Sequence, residues 1–399
     1  MTFPSVLERL TALGPGLPPI PERLLLAHAR GEVLFVTGAG ISLPAGLPDF
    51  RGLVVETYAK LDSAVHAVIA PIPRGACNQW SSNTAGLTDQ QAAEVRRFVS
   101  GDYDVVLGML ERRMDGRSAG TSSVRRTIAQ ILRGHAVKPA PIHRALMRLA
   151  DRGGVLTIVT TNFDLLLEDA YHDKGPVQTY TLGGIPRPGL SNEFSGILHI
   201  HGALDRNPTR TSDLIVSDHD FGEFYLRRRA VPDFIYDAAR LFHLVLVGYS
   251  ANDPPMRYLL NAVAADGSRF GDIKERFTFI GMRASDPVAM EDWKGRGIVP
   301  IPYDDAEDHA ALHHVLERWA SLSAINGKRS VVDSEMRRIV KTPRAASMDA
   351  DRDLFDHLLR RGNTNERIHL SALASKAKAD ASWLDAIAGV LAEPDRERR

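Results

Sequence analysis

The sequence predicts an α/β fold: a mostly parallel sheet with helices on both faces, a helical insertion after the first strand and a small C-terminal helical tail. Three observations carry this reading. Short apolar runs of β character alternate with helical stretches, the pattern of a parallel sheet covered on both sides. The first run, Val33-Leu34-Phe35-Val36, stops at a glycine turn, Gly38-Ala39-Gly40. Four of the runs are each followed at once by a short polar or glycine-bearing cluster. In a parallel sheet the strand carboxyl ends share one edge, and ligands bind in the crevice outside it. The layout is Rossmann-like.

The elements follow in order. Residues 1–30 predict two short amphipathic helices around a Pro/Gly turn at 14–21. The first strand and its glycine turn come next, and the turn is expected to open into a helix whose N-terminus offers free N–H groups to a phosphate. Residues 54–140 read as mainly helical. Thr88-x-x-Gln91 is a capping box, VRRTIAQILRG stops at Gly134, and Pro139 and Pro141 start IHRALMRLA. Further strands are predicted at 155–159, 197–200, 214–216, 244–247, 277–280 and 298–301. Helices lie between them or after them: LLLEDAYHD, VPDFIYDAARLF, MRYLLNAVAA and HAALHHVLERWASL. Past Ala324 the chain turns charged and poor in aromatics, reading as a linker or loosely held helix before two more helical patterns, DLFDHLLRRG and SALASKAKADASWLDAIAGVLA. One domain over 1–325, with 54–140 as its insertion, and a linker plus docking or oligomerisation segment over 326–399 follow from this.

Composition narrows the function. Apolar residues make up 44% and charged residues 25% of the 399, ordinary for a globular enzyme. Lys+Arg and Asp+Glu both number 49, so net charge points to neither nucleic acid nor a membrane surface as a direct partner. The single cysteine, Cys77, excludes an intramolecular disulfide and a multi-cysteine zinc site, and reads as a packed or incidental thiol. No apolar run approaches the ~18 residues of a membrane span, and the first residues lack a signal pattern. A cytoplasmic protein is expected.

The polar clusters are Gly38–Ser42, Thr160–Asp164, His201–Leu204 and Gly248–Asp253, and four segments meeting at one sheet edge predict a single cleft. A hydride-transfer fingerprint asks for G-x-G-x-x-G with an acid about 20 residues on. Here the third glycine waits until Gly46 and the next segment is helical, so a dehydrogenase is disfavoured. No G-x-x-x-x-G-K-[ST] supports a phosphate-loop NTPase.

The motifs GAGIS-x-x-x-GLPDFRG, TTNFD, HGAL and GYSAND, in that order, resemble the sirtuins over roughly residues 31–322, with unmatched insertions. TTNFD stands where deacylating sirtuins have TQNID, and GYSAND where they have GTSLxV. Both departures look like the sirtuin-like proteins of bacterial defence systems. The four-cysteine zinc module of the deacylases is absent, so zinc-supported deacylation is disfavoured and no metal is expected. Phe221-Gly222-Glu223 superficially resembles the deacylases' peptide-pairing segment, but reads as part of a helix, SDHDFGEFYLRRR.

The resemblance implies NAD+ as substrate and its hydrolysis to nicotinamide and ADP-ribose. It implies that Asn162 orients water or the ribose, although a capping Asn is the plainer alternative. Asp164 would hold the carboxamide or the loop, or simply cap LLLEDA. His201 would act on ribose hydroxyls with a pKa near the working pH. His199, two residues earlier, is expected on the same side of the strand, but a metal pair lacks a third ligand; His309 and His313 read as a solvated helix face. Gly38, Ala39 and Gly40 would cradle the pyrophosphate with Ser42. Asp49, Phe50 and Arg51 would line the nicotinamide side. Thr161, Gly248, Tyr249 and Ser250 would complete the nucleotide edge, with Asp253 capping the next helix. By resemblance the chain is a homo-oligomer that depletes NAD+ in antiphage defence. A separate activating protein is expected, a HerA-type ATPase first and an argonaute-like protein second. A deacylase or ADP-ribosyltransferase and a non-catalytic NAD or ADP-ribose sensor are the alternatives.

Overall fold

The computed structural model describes residues 8–74, 83–116, 122–172, 175–189, 194–207, 213–249, 254–267, 273–282 and 287–393. Cys77 lies outside them. The chain begins with a small antiparallel pair, β1 (Leu10–Ala12) and β2 (Pro19–Pro21), and then α1 (Glu22–Ala29). The first of the two helices expected over 1–30 is therefore not formed in the described part. Prolines at 15, 18, 19 and 21 cannot supply helical N–H groups. The short ladder instead buries Ile20 and Leu13.

Seven strands form the main sheet: β3 (Val33–Thr37), β4 (Thr157–Thr160), β5 (Thr179–Tyr180), β6 (Gly196–His199), β7 (His243–Val247), β8 (Arg276–Gly281) and β9 (Val299–Tyr303). Their order is β5-β6-β4-β3-β7-β8-β9, and every neighbouring pair is parallel. Alternation within β3 explains the two-faced cover. Val33 and Phe35 join the core beneath α1, α7 (Pro141–Ala150) and α13 (Ala306–Leu322), where Phe35 meets Trp319 at 5.7 Å between ring centroids. Leu34 and Val36 face the opposite core with α10 (Ala230–Leu241) and α11 (Pro254–Gly267). Helices thus cover both faces. The run 214–216 is buried yet joins no strand, because its backbone bonds go elsewhere. Ile215 N donates to the His201 carbonyl at 2.8 Å, and Val216 N donates to Asp220 at 3.0 Å.

Between β3 and β4 the chain builds α2 (Phe50–Leu61), α3 (Ser63–Ile69), α4 (Asp89–Val99), α5 (Tyr103–Asp115) and α6 (Ser123–Gly134) around a core of their own that includes Val54, Tyr58, Phe98, Leu110 and Ile128. The Thr88–Gln91 capping box forms as the sequence predicts. Inside, Tyr58 donates to Glu94 at 2.9 Å, and Arg113 bridges Glu94 and Asp62 at 2.8 Å each. After β4 come α8 (Leu166–Tyr171) and, past β6, α9 (Asp218–Phe221) running into a π-helical turn at Gly222–Arg227. The 221–223 segment is helical, as expected. Helix α12 (Pro287–Gly295) joins β8 to β9.

The stretch read as a linker or loosely held helix forms α14 (Arg329–Ile339), followed by α15 (Asp349–Arg361), α16 (Thr364–Lys376) and α17 (Ala381–Ala392). Val332, Met336 and Ile339 form a narrow apolar stripe in a charged segment, and all three are buried in the core that underlies the sheet. Arg318 holds Glu335 at 3.0 Å, and Arg360 holds buried Glu22 at 3.1 Å. Trp383 is fully buried against Phe355, ring centroids 4.5 Å apart. Among the described residues no helix is long and apolar enough to cross a membrane. Trp383→Ala should cost about 3–5 kcal/mol, the range for deleting a buried large aromatic. Urea unfolding should show one transition at a lower midpoint. A separate early transition would instead make the C-terminal helices an independent unit.

Candidate functional site

Strands β3 and β7 lie side by side, yet the chain leaves β3 towards β4 on one flank and departs from β7 towards β8 on the other. That reversal is a topological switch point, where the loops splay and leave a crevice. Here the two loops first touch. Gly38 N donates to the Val247 carbonyl at 3.1 Å and Gly40 N to the Gly248 carbonyl at 2.8 Å. A Cβ on Gly40 would lie 2.8 Å from the Gly248 Cα, and one on Gly248, whose φ is +61°, would lie 2.6 Å from the Ile41 nitrogen. These glycines serve loop-on-loop contact. The turn does not open directly into a helix: two 3₁₀ turns, Ala39–Ile41 and Leu43–Ala45, intervene. Helix α2 starts only at Phe50, where Asp49 caps it by accepting from Gly52 N at 2.8 Å. Pro44 and Pro48 punctuate the stretch between.

A cavity of about 710 Å³ occupies this edge. Ala39, Gly40 and Ser42 line it from the β3 loop, and Asp49, Phe50 and Arg51 from the start of α2. Thr161, Asn162 and Asp164 reach it from β4, His201 from β6, and Gly248 and Tyr249 from β7. Gly38 sits just behind the lining. Ser250 and Asp253 lie outside the described residues.

Ser42 is the polar hub of the wall and is almost fully buried. It donates to Asp164 Oδ2 at 2.9 Å and accepts from Asn162 Nδ2 at 3.0 Å. His143 Nε2 approaches the same hydroxyl at 3.5 Å, while His143 Nδ1 accepts from Ala140 N at 3.1 Å. Burial pushes the His143 imidazole down to about 4, so it is neutral. Asn162 is buried, and its Oδ1 has no hydrogen-bond partner among the described residues. Burial also pushes the Asp164 carboxyl up, against the Leu166 N–H and Ser42 hydroxyl that favour its charge. Its Oδ1 accepts Leu166 N at 3.1 Å, so it holds the loop onto α8 as well as bordering the cavity.

His201 behaves differently from the expectation. Its Nε2 lies 2.7 Å from the Tyr225 hydroxyl, and Phe221 meets its ring edge-on at 5.4 Å. Burial pushes this imidazole down to about 3, far from neutral pH. His199 does not share the cleft. It is fully buried, its Nδ1 2.7 Å from the Asn162 carbonyl and its Nε2 3.0 Å from Glu168. The strand ends at His199, so alternation does not carry through to His201. Burial alone would lower the His199 pKa, but the paired Glu168 carboxylate raises it overall; the Glu168 pKa is lowered in turn, its burial outweighed by His199.

On the α2 side, Arg51 reaches the Ile72 carbonyl and stacks over Phe98 at 5.2 Å, an anchor for the loop. Asp49 pairs with Arg74, and Phe50 packs edge-on against Tyr103 at 6.4 Å. At the other end of the cavity His309 and His313, expected on a solvated face, border the opening instead, and Tyr303 bonds His309 Nδ1 at 2.9 Å. Among the described residues no group of three or more His, Cys, Asp or Glu side chains could hold a metal.

Residues 156–301 match the family described as SIR2-like domain. That segment is similar to SIR2-like domains. The chain is 30% identical over 410 residues to the uncharacterized protein y4cA of Sinorhizobium fredii, covering 96% of this chain and 29% of that protein. It therefore spans under a third of that curated relative's length. Similar solved structures include one described as the structural basis for the mechanism and regulation of Sir2 enzymes, at 16% identity and TM-score 0.37, covering 75% of this chain and 98% of that one. A Sir2 homologue–NAD complex matches at 16% identity and TM-score 0.34, covering 75% and 95%.

The site also depends on residues that no motif announced. His143 and Tyr225 bond to Ser42 and His201, and the only hint of His143 was its place in a proline-started helix. Arg125 of α6 is buried; its Nη2 lies 2.8 Å from both Asp220 oxygens, its Nε and Nη2 pair with Glu111, and its Nη1 donates to the Leu214 carbonyl. It ties the helical insertion to the segment that carries Phe221 and Tyr225. Asp220→Ala should cost about 3–5 kcal/mol, because it strips a buried guanidinium of one of its two carboxylate partners. Removing the exposed Arg227–Glu223 pair should cost under about 1 kcal/mol. Equal costs in denaturant titrations would refute the latch.

The His199–Glu168 pair gives a pH signature. The folded-state His199 is raised above its ordinary 6.5, so its contribution is complete below 6.5 and fades as pH climbs through the folded value. Glu168 is lowered below its ordinary 4.5, so its contribution is complete above 4.5 and fades as pH falls through the folded value. The melting-temperature gap between wild type and Glu168→Gln should peak between about pH 4.5 and 6.5 and narrow above. A gap that widens towards pH 9 would contradict the ion pair.

Proposed function

We propose that the cleft binds NAD+ as substrate and hydrolyses it to nicotinamide and ADP-ribose. The observation that carries this reading is Asn162. Asn162 lines the cavity, its Nδ2 is committed to Ser42, and its buried Oδ1 has no hydrogen-bond partner among the described residues. A water molecule or ribose hydroxyl would satisfy it, and an unsatisfied buried acceptor is costly enough to favour such a guest.

Cleavage sends the electron pair of the C1′–N bond onto the pyridinium, which leaves as neutral nicotinamide. The sugar then carries the positive charge. Water adds its oxygen to C1′ and releases a proton to solvent, balancing the reaction. Such a transition state asks the protein for orientation and for tolerance of a cation rather than for a strong base. A neutral His201 adds no repelling charge, and the Asp164 carboxyl lies on the same wall. Phe50 and Tyr103 offer an apolar wall for a ring.

The TTNFD and GYSAND motifs support extending the proposal to NAD+ depletion in antiphage defence, controlled by oligomerisation or by a separate protein such as a HerA-type ATPase. Mass spectrometry of NAD+ incubated with purified protein tests the chemistry. Wild type should release nicotinamide and ADP-ribose without any peptide. Asn162→Ala and His201→Ala should each slow release by about 10²-fold or more, the usual cost of losing an oriented polar group at a developing charge. Release that requires an acetylated peptide, or binding without turnover, would overturn the hydrolase reading.

A further inference from the structure

The ring of His201 is enclosed by one polar neighbour and a set of apolar ones. Tyr225 presents its hydroxyl 2.7 Å from Nε2, and the Phe221 and Tyr225 rings lie 5.4 and 6.0 Å from the imidazole and 5.4 Å from each other. Tyr225 is 4% and His201 6% exposed. Tyr225 does not line the cavity, whereas His201 and Phe221 do. The phenol therefore stands behind the imidazole.

Tyr225 reaches that position through unusual backbone. It sits in the π-helical turn Gly222–Arg227, which continues α9, and the next helix starts only after Arg229 in a left-handed conformation, φ +56°. Such turns are uncommon and re-aim one side chain relative to an α-helix. A left-handed arginine is strained. The local fold thus accepts a cost to point Tyr225 inwards while its neighbour Leu226 is left 79% exposed.

Chemistry fixes the direction of the hydrogen bond. A phenol O–H is a stronger acid than a neutral imidazole N–H, and the bare imidazole nitrogen is a far better acceptor than a phenolic oxygen. Tyr225 accordingly donates and Nε2 accepts. We propose that Tyr225 is a positioning residue that occupies the Nε2 of His201, fixes the ring as its neutral Nδ1–H tautomer, and leaves this histidine unable to take a proton from a bound ligand. For its consequence this rests on the NAD+-hydrolysis reading: with the base capped, the water that adds to the sugar cation gives its proton to solvent and not to His201. Among the described residues no charged neighbour contributes to the state of the ring, and burial is the cause that lowers it.

Nitrogen NMR of the full chain labelled at histidine tests the proposal without relying on turnover. The His201 signals, identified by their loss in His201→Gln, should report a neutral Nδ1–H ring in the wild type from pH 5 to 8. Tyr225→Phe keeps the aromatic packing and removes only the hydroxyl. There the Nδ1–H tautomer should lose its dominance. An Nε2–H or doubly protonated ring in the wild type, or a tautomer unmoved in Tyr225→Phe, would overturn the assignment, and the wild-type arm holds even if the variant fails to fold. Nicotinamide release measured alongside should change in kcat with KM within about twofold for Tyr225→Phe. If the tautomer is as assigned but no NAD+ is cleaved by wild type, the hydrolase reading fails and the positioning role of Tyr225 stands.

Discussion

The contact between Gly40 and Gly248 governs the geometry of this molecule's functional edge. Loops from two adjacent strands cross there backbone against backbone, and the atoms facing each missing Cβ are themselves main chain. Main-chain atoms cannot rotate aside as the end of a long side chain can. Any substituent at Gly40 would therefore drive the loops apart. The residues that follow depend on that closeness: Ser42, two positions on, must meet Asn162 from β4, and Tyr249 must meet the same cavity from β7.

Once Ser42 is set, the directions of its hydrogen bonds are no longer free. His143 is neutral, and its Nδ1 already accepts the Ala140 N–H, so its proton sits on Nε2 and faces Ser42. The Asn162 amide nitrogen is a second donor to the same oxygen. With both lone pairs addressed, the hydroxyl proton can go only to Asp164, at 2.9 Å. The chain of donors runs one way, and it leaves the Asn162 side-chain oxygen, buried at the cavity wall, without a donor among the described residues. His199 supports the same residue from behind through the Asn162 main-chain carbonyl. A four-residue polar network thus delivers a single oriented atom, which a hydrogen-bond donor from the ligand can use.

Much of this could be read in the amino-acid sequence, for definite reasons. Strands β3 and β7 carry continuous apolar runs because both faces of a covered parallel sheet are dry. Thr88 and Gln91 announce a helix start by a purely local rule. The motif residues of the cleft fall on its wall because strand ends must share one edge. Other features depend on tertiary context. The run 214–216 looks like a strand, but its bonds go to a loop and to Asp220. The polar stretch around Val332 looks like a linker or loosely held helix, but three spaced apolar residues suffice to seat a helix on an existing core. His201 could not be known to be neutral from its neighbours in sequence, since Phe221 and Tyr225 approach from a turn twenty or more residues away.

The helical insertion and the His201 pocket form one mechanical unit. Arg125 has left water almost completely, and an ion so buried is tolerated only with its charge matched and its donors filled. Nη2 serves both Asp220 oxygens, Nε and Nη2 pair with Glu111, and Nη1 donates to the Leu214 carbonyl. Asp220 also accepts from Ser217 and Val216, so it cannot follow Arg125 without dragging its own loop. Phe221 is the next residue, and it lies against His201. A shift of α6 must therefore either strand a buried guanidinium or move the wall of the imidazole pocket. The second is the cheaper displacement. Whatever bears on the insertion is thereby connected to the ring at the heart of the cleft.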